Sequence, residues 1–493
     1  MRMRVILAGH NVDLDGLRAI RKTRAILTPE SISAAYARIS RSPRSIEELR
    51  EDARHEVRAA RRSNRKIIFE MGHHSVAEHA VFNFDIIGIS RRAVEEFERF
   101  RLCSFTEKSQ RYVTLKGDHI VPSELKDKKL RDAFRNIVRQ QNKLYCFLLE
   151  EISQRNFCDF PGLAKDDKGR RDLRNLAKED ARYILSLATQ TQVGATINAR
   201  NLELMIRRFA SHRLIEVNEL GKKLYALVSR VAPSILLFCA ANDFDREAYA
   251  DVKARARALV KPLHDYDGQD VRLVACTPSG DDRILAAFLS STTGSDYEQC
   301  WKAVKKMPRK KKLDLFKVSC RRLELYDAVP REFEYADLTY ALVVSAGCFG
   351  QLKRHRMASV VWSDLDPALG VVVPESVKTV GAEQTFRDII GRTDELYCKI
   401  EKSAAGIGSY ILTNGHCRRV LIRVNLRELY HISRLREDPT AQWDIRHIAA
   451  QMADLARKAM PITASLLCGK SDYPAVYKKL FGRHPKVKHV PAP

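Results

Sequence analysis

The sequence predicts an α+β protein made of two similar units in one chain, each an antiparallel sheet packed with long helices. Three observations support this. Phe82, Phe84 and Ile86 alternate with Asn83 and Asp85, the period of a strand with one buried face. Residues 126–179 read as long, highly charged helical stretches broken at Pro161-Gly162. Short motifs of the first half return in the second, the mark of an internal repeat. At 493 residues the chain is also long enough for two or more cores.

Taken in order, residues 5–8 form a short strand, followed by charged helices through residues 45–62. After the 82–86 strand, Ser90 caps a helix that turns Val94 and Phe97 inward and delivers Arg99 and Arg101 at its end. Glu107, Ser109 and Arg111 then sit two apart, so in an extended loop their side chains point the same way. A carboxylate, a hydroxyl and a guanidinium on one side suit a small anion with hydrogen-bonding groups, such as a nucleotide monophosphate. On composition alone, an Arg/Glu-rich helix end is more often a solvated surface. Residues 181–188 read as an apolar strand, polar residues 194–202 follow, and a helix runs from about 202 to 212. The first unit closes near residues 233–241, and residues 253–279 form the junction. The domains are therefore expected at 1–250 and 265–475, with a basic, proline-containing tail over 476–493. The chain after Ser471 is expected to be loosely held.

The repeat rests on named segments. Phe333-Glu-Tyr-Ala336 parallels Ala77-Glu-His-Ala80, and residues 338–344 form a second apolar strand. Gln351-Leu-Lys-Arg-His-Arg-Met-Ala-Ser359 parallels the stretch that opens at Glu96. Val424-Asn-Leu-Arg-Glu-Leu429 parallels Ile197-Asn-Ala-Arg-Asn-Leu202.

Composition narrows the partners. Lys+Arg 86 against Asp+Glu 61 leaves a net charge of +25, which calls for anionic partners without choosing among them. The basic run of residues 305–312 has no interleaved aromatics, which favours a solvated face, so nucleic acid is not the favoured partner. Eleven scattered cysteines without a Cys-x-x-Cys, several of them (Cys146, Cys239, Cys348) in apolar surroundings, suit a reduced interior. No apolar run suits a secretory signal or a membrane span, so no membrane is expected and the cytoplasm is the expected location. The His-x-x-x-Glu-His spacing of His74, Glu78 and His79 is one residue too long for the inverted zinc motif, and no metal is expected. There is no Gly-x-Gly-x-x-Gly. Trp443, Ile448, Met452 and Leu455 read as a helix core face.

The stretch from Arg99 to Tyr112 resembles the signature of flavin-dependent thymidylate synthases, Arg-His-Arg followed by Ser-x-Asn-Glu-x-Ser-x-Arg-Tyr. Arg99, Arg101, Ser104, Glu107, Ser109, Arg111 and Tyr112 match, whereas Phe100 stands for the histidine and Thr106 for the asparagine. Residues 72–80 resemble the family's Gly-His-x-Ser/Thr-x-x-Glu-His block, and Ala441-Gln-Trp-Asp-Ile445 its Ala-Gln-Trp-Glu-Ile. The whole chain resembles two such units fused head to tail. The resemblance implies conversion of dUMP to dTMP with methylenetetrahydrofolate, FAD and NADPH. It also implies a homotetramer with sites formed between subunits, which two chains of this protein would rebuild as a homodimer.

The two halves match the family differently. The second keeps Gln351, Arg354, His355, Arg356, Asn425, Arg427, His431 and Arg436, but has Trp362, Asp364 and Asp366 in the Glu-x-Ser-x-Arg positions. Ser409 stands nearest to its lost strand arginine. The first keeps Glu107, Ser109, Gln110, Arg111 and Arg182, but has Glu96 for glutamine, Phe100 for histidine, Leu204 for the helix His/Asn, and Phe209 where Arg436 stands in the second half. The resemblance implies that Gln351, Arg354, Glu107, Ser109, Gln110, Arg111 and Arg182 bind dUMP and that Arg436 acts at the uracil ring. His73, Ser75, Arg354, His355, Arg356, Asn425, Arg427 and His431 are implied for FAD. Two readings stand: an enzyme whose site is composite between the halves, or an inactive flavin- or nucleotide-binding, or nucleic-acid-associated, descendant.

Overall fold

A computed structural model describes residues 3–19, 27–260 and 268–486. It divides into two compact units, each built on a four-stranded antiparallel sheet. In the first sheet the strands are β1 (Arg4–His10), β2 (Val81–Ser90), β3 (Ser104–Glu107) and β4 (Gln190–Asn198), in the order β1-β2-β4-β3. In the second they are β5 (Val271–Cys276), β6 (Asp337–Ser345), β7 (Ser359–Trp362) and β8 (Cys417–Asn425), in the equivalent order β5-β6-β8-β7. The registers also agree: Ser104 pairs with Thr196, and its counterpart Ser359 pairs with Arg423.

Alternation fixes which face of each sheet is covered. Phe82, Phe84 and Ile86 of β2 are buried while Asn83 and Asp85 are exposed. On β6, Leu338, Tyr340, Leu342 and Val344 turn into a core that also takes Ile445, Ile448 and Met452 of the Trp443–Ala459 helix. Helices start on polar caps: Ser45 forms a capping box with Glu48, and Asp127 receives the amides of Lys129 and Leu130. The enlarged helices of the first half are Lys128–Asp159 and Asp167–Ala181.

The spatial units do not follow the repeats. The first unit takes in residues 373–413 from the second repeat. Its helix Glu383–Ser403 packs beside Lys128–Asp159, where the buried Gln141 amide donates to Thr393 Oγ1 and to the Ile411 carbonyl, both at 3.0 Å. The second unit comprises residues 264–372 and 414–493.

Three expectations change. Residues 181–188 are not a strand of the sheet; the strand lies at 190–198, after a 3-10 turn at Arg182–Ile184. Their backbone amides go elsewhere, Leu187 N to the Leu412 carbonyl at 2.9 Å and Ala188 N to the Tyr410 carbonyl at 2.7 Å. The segment is apolar because it is buried on every side. Ser186 bridges Thr413, its own counterpart in the repeat. Next, the chain after Ser471 is held firmly at first: Tyr473–Phe481 is a helix whose Tyr473 and Tyr477 are buried and hydrogen-bond the Leu323 and Arg321 carbonyls. The last residues of the expected tail, 487–493, lie outside the described residues, as do residues 261–267 of the expected junction. Finally, Cys146 is exposed rather than set among apolar groups.

Candidate active site

In the first unit the site-bearing helix Arg91–Phe97 begins where β2 ends. Gly88, with φ of +75°, supplies the left-handed residue at the register shift between Ile87 and Ile89. Ser90 Oγ then accepts from Ala93 N at 3.0 Å and donates to Glu216 at 2.6 Å. Burial pushes the Glu216 carboxyl above its usual range, opposed by hydrogen bonds from Ser90 and Tyr410.

Arg91, which sequence reasoning missed, donates to Glu107 at 2.6 Å. Beyond Glu107 the chain turns, because Ser109 Oγ accepts from Arg111 N at 3.1 Å and the Ser109 carbonyl from Val113 N at 3.1 Å. Glu107, Ser109 and Arg111 therefore do not lie along one side of an extended loop. Glu107 meets Arg91, whereas Arg111 Nε donates to Glu179 at 2.6 Å. Arg182 Nε donates to the Glu179 carbonyl at 3.2 Å, and Gln110 is buried close by in sequence. Burial lowers the pKa of Arg182; Arg91 and Arg111 add to that, while Tyr183 and Glu179 oppose it. The cluster thus sets three guanidinium groups around two carboxylates in a water-poor place. Among the described residues no base contacts Ser109 Oγ. Nor does any contact join His73 or Ser75 to this cluster; both are exposed, and His73 faces Arg41 at 3.4 Å.

The altered positions of the first repeat form a set of their own. Phe100 and Phe209 meet edge to face with ring centroids 5.7 Å apart. Burial raises the Glu96 carboxyl, but His212, Arg92 and Arg99 together hold it well below the usual range. Arg92 donates to Glu96 at 2.8 Å and, through Nε, to Ser409 Oγ at 3.1 Å. One guanidinium therefore ties the lost-glutamine position of one repeat to the lost-arginine position of the other.

In the second unit Ser345 caps the helix Ala346–Leu352, accepting from Cys348 N at 2.9 Å and donating to Asp444 at 2.6 Å. Gln351 in its last turn and His355 just past it come together with Arg436. Arg436 Nε donates to His355 Nε2 at 3.0 Å and its NH2 to the Gln351 carbonyl at 3.4 Å. Gln351 Nε2 donates to Gln442 Oε1 at 2.6 Å. His355 Nδ1 faces Glu428 at 3.5 Å, and the exposed His431 ring lies 5.6 Å from the His355 ring. Burial lowers the His355 pKa; Glu428 works against this and Arg436 with it. Arg354 and Arg356 are exposed. Asn425 caps the helix Leu426–Arg436 by accepting from Glu428 N at 2.8 Å, and Arg427 reaches Glu334 at 3.0 Å and the Val329 carbonyl at 2.9 Å. Asn425 and Arg427 thus lie at the opposite helix end from Arg436. A cavity of about 340 Å³ over the second sheet, bordered by Arg272, Val361, Arg419 and Leu421, contains none of these groups.

Sequence reasoning missed Arg91, Glu179, Glu428 and Gln442. Gln442 and Glu428 stood in plain view, beside Trp443 and Arg427. Arg91 and Glu179 carried no local signal, because their partners lie on other elements.

A family model described as "Thymidylate synthase complementing protein" matches residues 23–234 and again residues 272–462. A flavin-dependent thymidylate synthase of Geobacter sulfurreducens is 31% identical over 212 residues, 42% of this chain and 80% of that protein. The corresponding protein of Clostridium tetani is 29% identical over 215 residues, 43% and 82%. A UPF0159 protein of Thermoplasma acidophilum is 25% identical over 456 residues, 83% of this chain and 89% of its own. Among solved structures, a UMP/dUMP methylase of Streptomyces cacaoi bound with 5-Br dUMP matches with a TM-score of 0.31 and 21% identity, covering 48% of this chain and 93% of its own.

Proposed function

From the premise that the chain belongs to the flavin-dependent thymidylate synthase family and carries its fold twice, we propose that it converts dUMP to dTMP using methylenetetrahydrofolate, FAD and NADPH, with residues of both repeats needed for one live site. The observation that carries this is the Arg92 bridge between Glu96 and Ser409. It joins altered position to altered position, as expected if the intact positions likewise serve a common site. Two chains would form the family's fourfold arrangement.

Arg111 and Arg182 supply the phosphate subsite. Arg182 is buried with its pKa lowered, and a dianion beside it would favour its charged form. Arg111 would exchange part of its bond to Glu179 for phosphate oxygens. Glu107, Ser109 and Gln110 orient the nucleoside, and Gln351 and Arg354 complete its binding. Arg436 stabilises negative charge developing on uracil, because its guanidinium stays protonated and His355 fixes its direction.

The residues present suit FAD. Arg354 is exposed, reaches only the Gly350 carbonyl among the described residues, and has its remaining donors available for a diphosphate. Arg356, His355, His431, Asn425 and Arg427, with His73 and Ser75, complete the set. When bound, the flavin supplies the hydride that completes the methyl group.

The test is direct. Purified protein should be yellow and bleach with NADPH, and it should release tritium from dUMP labelled at C5. Arg111→Ala and Arg436→Ala should each cut that release by about a hundredfold or more. Wild-type-like turnover in either variant would overturn the composite site. Colourless protein without turnover would favour the inactive descendant, the reading that the full-length UPF0159 relatives leave standing.

A further inference from the structure

We propose that the paired basic helices Tyr297–Lys306 and Arg309–Cys320 of the second unit bind single-stranded nucleic acid, its phosphates on the lysines and a base on Tyr335. Between Trp301 and Arg322 the sequence carries ten lysines and arginines and a single acid, Asp314. Lys305, Lys306, Arg309, Lys310 and Lys311 are exposed, and among the described residues none of the five has an ion-pair partner. Of their neighbours, Lys302 pairs with Glu298 at 3.2 Å and Lys312 with Asp282 at 2.6 Å.

The helices between the first two strands of the other sheet are mixed: Arg58, Arg62, Arg65 and Lys66 are exposed and, among the described residues, have no ion-pair partner. There Arg44, Arg50, Arg54 and Arg61 reach Asp52, Asp13 and Glu30 at 2.6 to 3.1 Å. Arginines that close ion pairs hold a fold together. Five exposed cations without counter-charge repel one another, and a row of phosphates relieves that repulsion.

Aromatics absent from the basic run itself are supplied by the fold. Trp301, one turn before Lys305, is half-buried, with Arg283 and Lys305 over its ring at 4.9 and 5.1 Å. Tyr297, a further turn back on the same helix face, stacks on Tyr335 at 6.2 Å and an interplanar angle of 25°. Tyr335 is 59% exposed, leaving it able to accept a base. At the other end, Arg483 donates to the Arg321 carbonyl at 2.6 Å and extends the basic face. Stacking requires an unpaired base, so the partner is a single strand rather than a duplex or an anionic membrane.

The test uses the full chain and a fluorescein-labelled dT20, read by anisotropy against NaCl. Contacts to about four phosphates predict roughly a 50-fold loss of affinity between 50 and 200 mM salt. Replacing Lys306, Arg309, Lys310 and Lys311 together by serine should abolish that binding and leave tritium release from labelled dUMP unchanged, so this inference and the proposed activity fail separately. Tyr335→Ala should weaken dT20 binding at least fivefold without altering weak duplex binding. Absence of binding at 50 mM salt, wild-type affinity in the quadruple variant, indifference to Tyr335→Ala, or tighter binding to phosphatidylserine vesicles than to dT20 would each overturn it.

Discussion

Arg436 Nε donates to His355 Nε2 at 3.0 Å, and a guanidinium has no acceptor to offer in return. His355 must therefore be neutral with its proton on Nδ1, toward Glu428. Protonating Nε2 would set a cation and a second donor against Arg436. The His355 pKa is lowered by burial, so the unfolded chain takes up this proton at about pH 6.5 and the folded chain only at lower pH. The sign follows: between those values the unfolded state holds more protons, so this group's contribution to stability is complete above about 6.5 and is lost as pH falls. Activity should fall over the same acid range, and a His355→Gln variant should lose that limb of the pH profile. Arg436→Lys, a point charge without the fork, should reduce turnover by about a hundredfold although the charge is kept. Arg436 and His355 were singled out in the sequence through the family resemblance. Arg91 and Glu179 were not, because each is defined by a partner on another element, Glu107 and Arg111.

At the scale of elements, each site helix is started by a serine whose hydroxyl is tied to a buried carboxylate: Ser90 to Glu216, and Ser345 to Asp444. Ser90→Ala should lower stability by about 1 to 2 kcal/mol, since it removes a cap and leaves Glu216 short of a donor. Phe209→Ala should cost about 3 to 5 kcal/mol in denaturant melts, because the ring is buried against Phe100 and Gly221 allows the next helix to approach it closely. Strands with one covered face were readable from their alternation, and capped helices from their first residues. Residues 181–188 defeated that reading, because burial on all sides gives the same apolar run as a strand. The Tyr473–Phe481 helix was hidden by nearby prolines and lysines, and only Tyr473 and Tyr477, a turn apart, betrayed its buried face.

For the whole molecule, the repeat boundary and the boundary of compactness are different things. Residues 373–413 belong to the second repeat in sequence and to the first unit in space. A fragment of residues 1–263 alone would leave Gln141 and its apolar neighbours without the Glu383–Ser403 helix. It should show no cooperative thermal transition by circular dichroism, and co-expression with residues 264–493 should restore one. The repeat was visible from its motifs, but the placement of residues 373–413 with the first unit was not, since local pattern carries no information about which copy supplies a distant partner. Ser186 forms an isolated antiparallel bridge with Thr413, the equivalent position of the second repeat. If one live site needs both repeats, saturating FAD should titrate to one flavin per chain rather than two, measured by flavin absorbance against protein concentration.

The Phe100–Phe209 ring pair also bears on which substitutions the first repeat tolerates. Restoring arginine at 209 alone would bury a guanidinium with no imidazole to receive it, and restoring histidine at 100 alone would set a polar ring against benzene carbons. Either change alone should give a less stable protein than the ring pair does. The ring pair therefore resists change at either position alone.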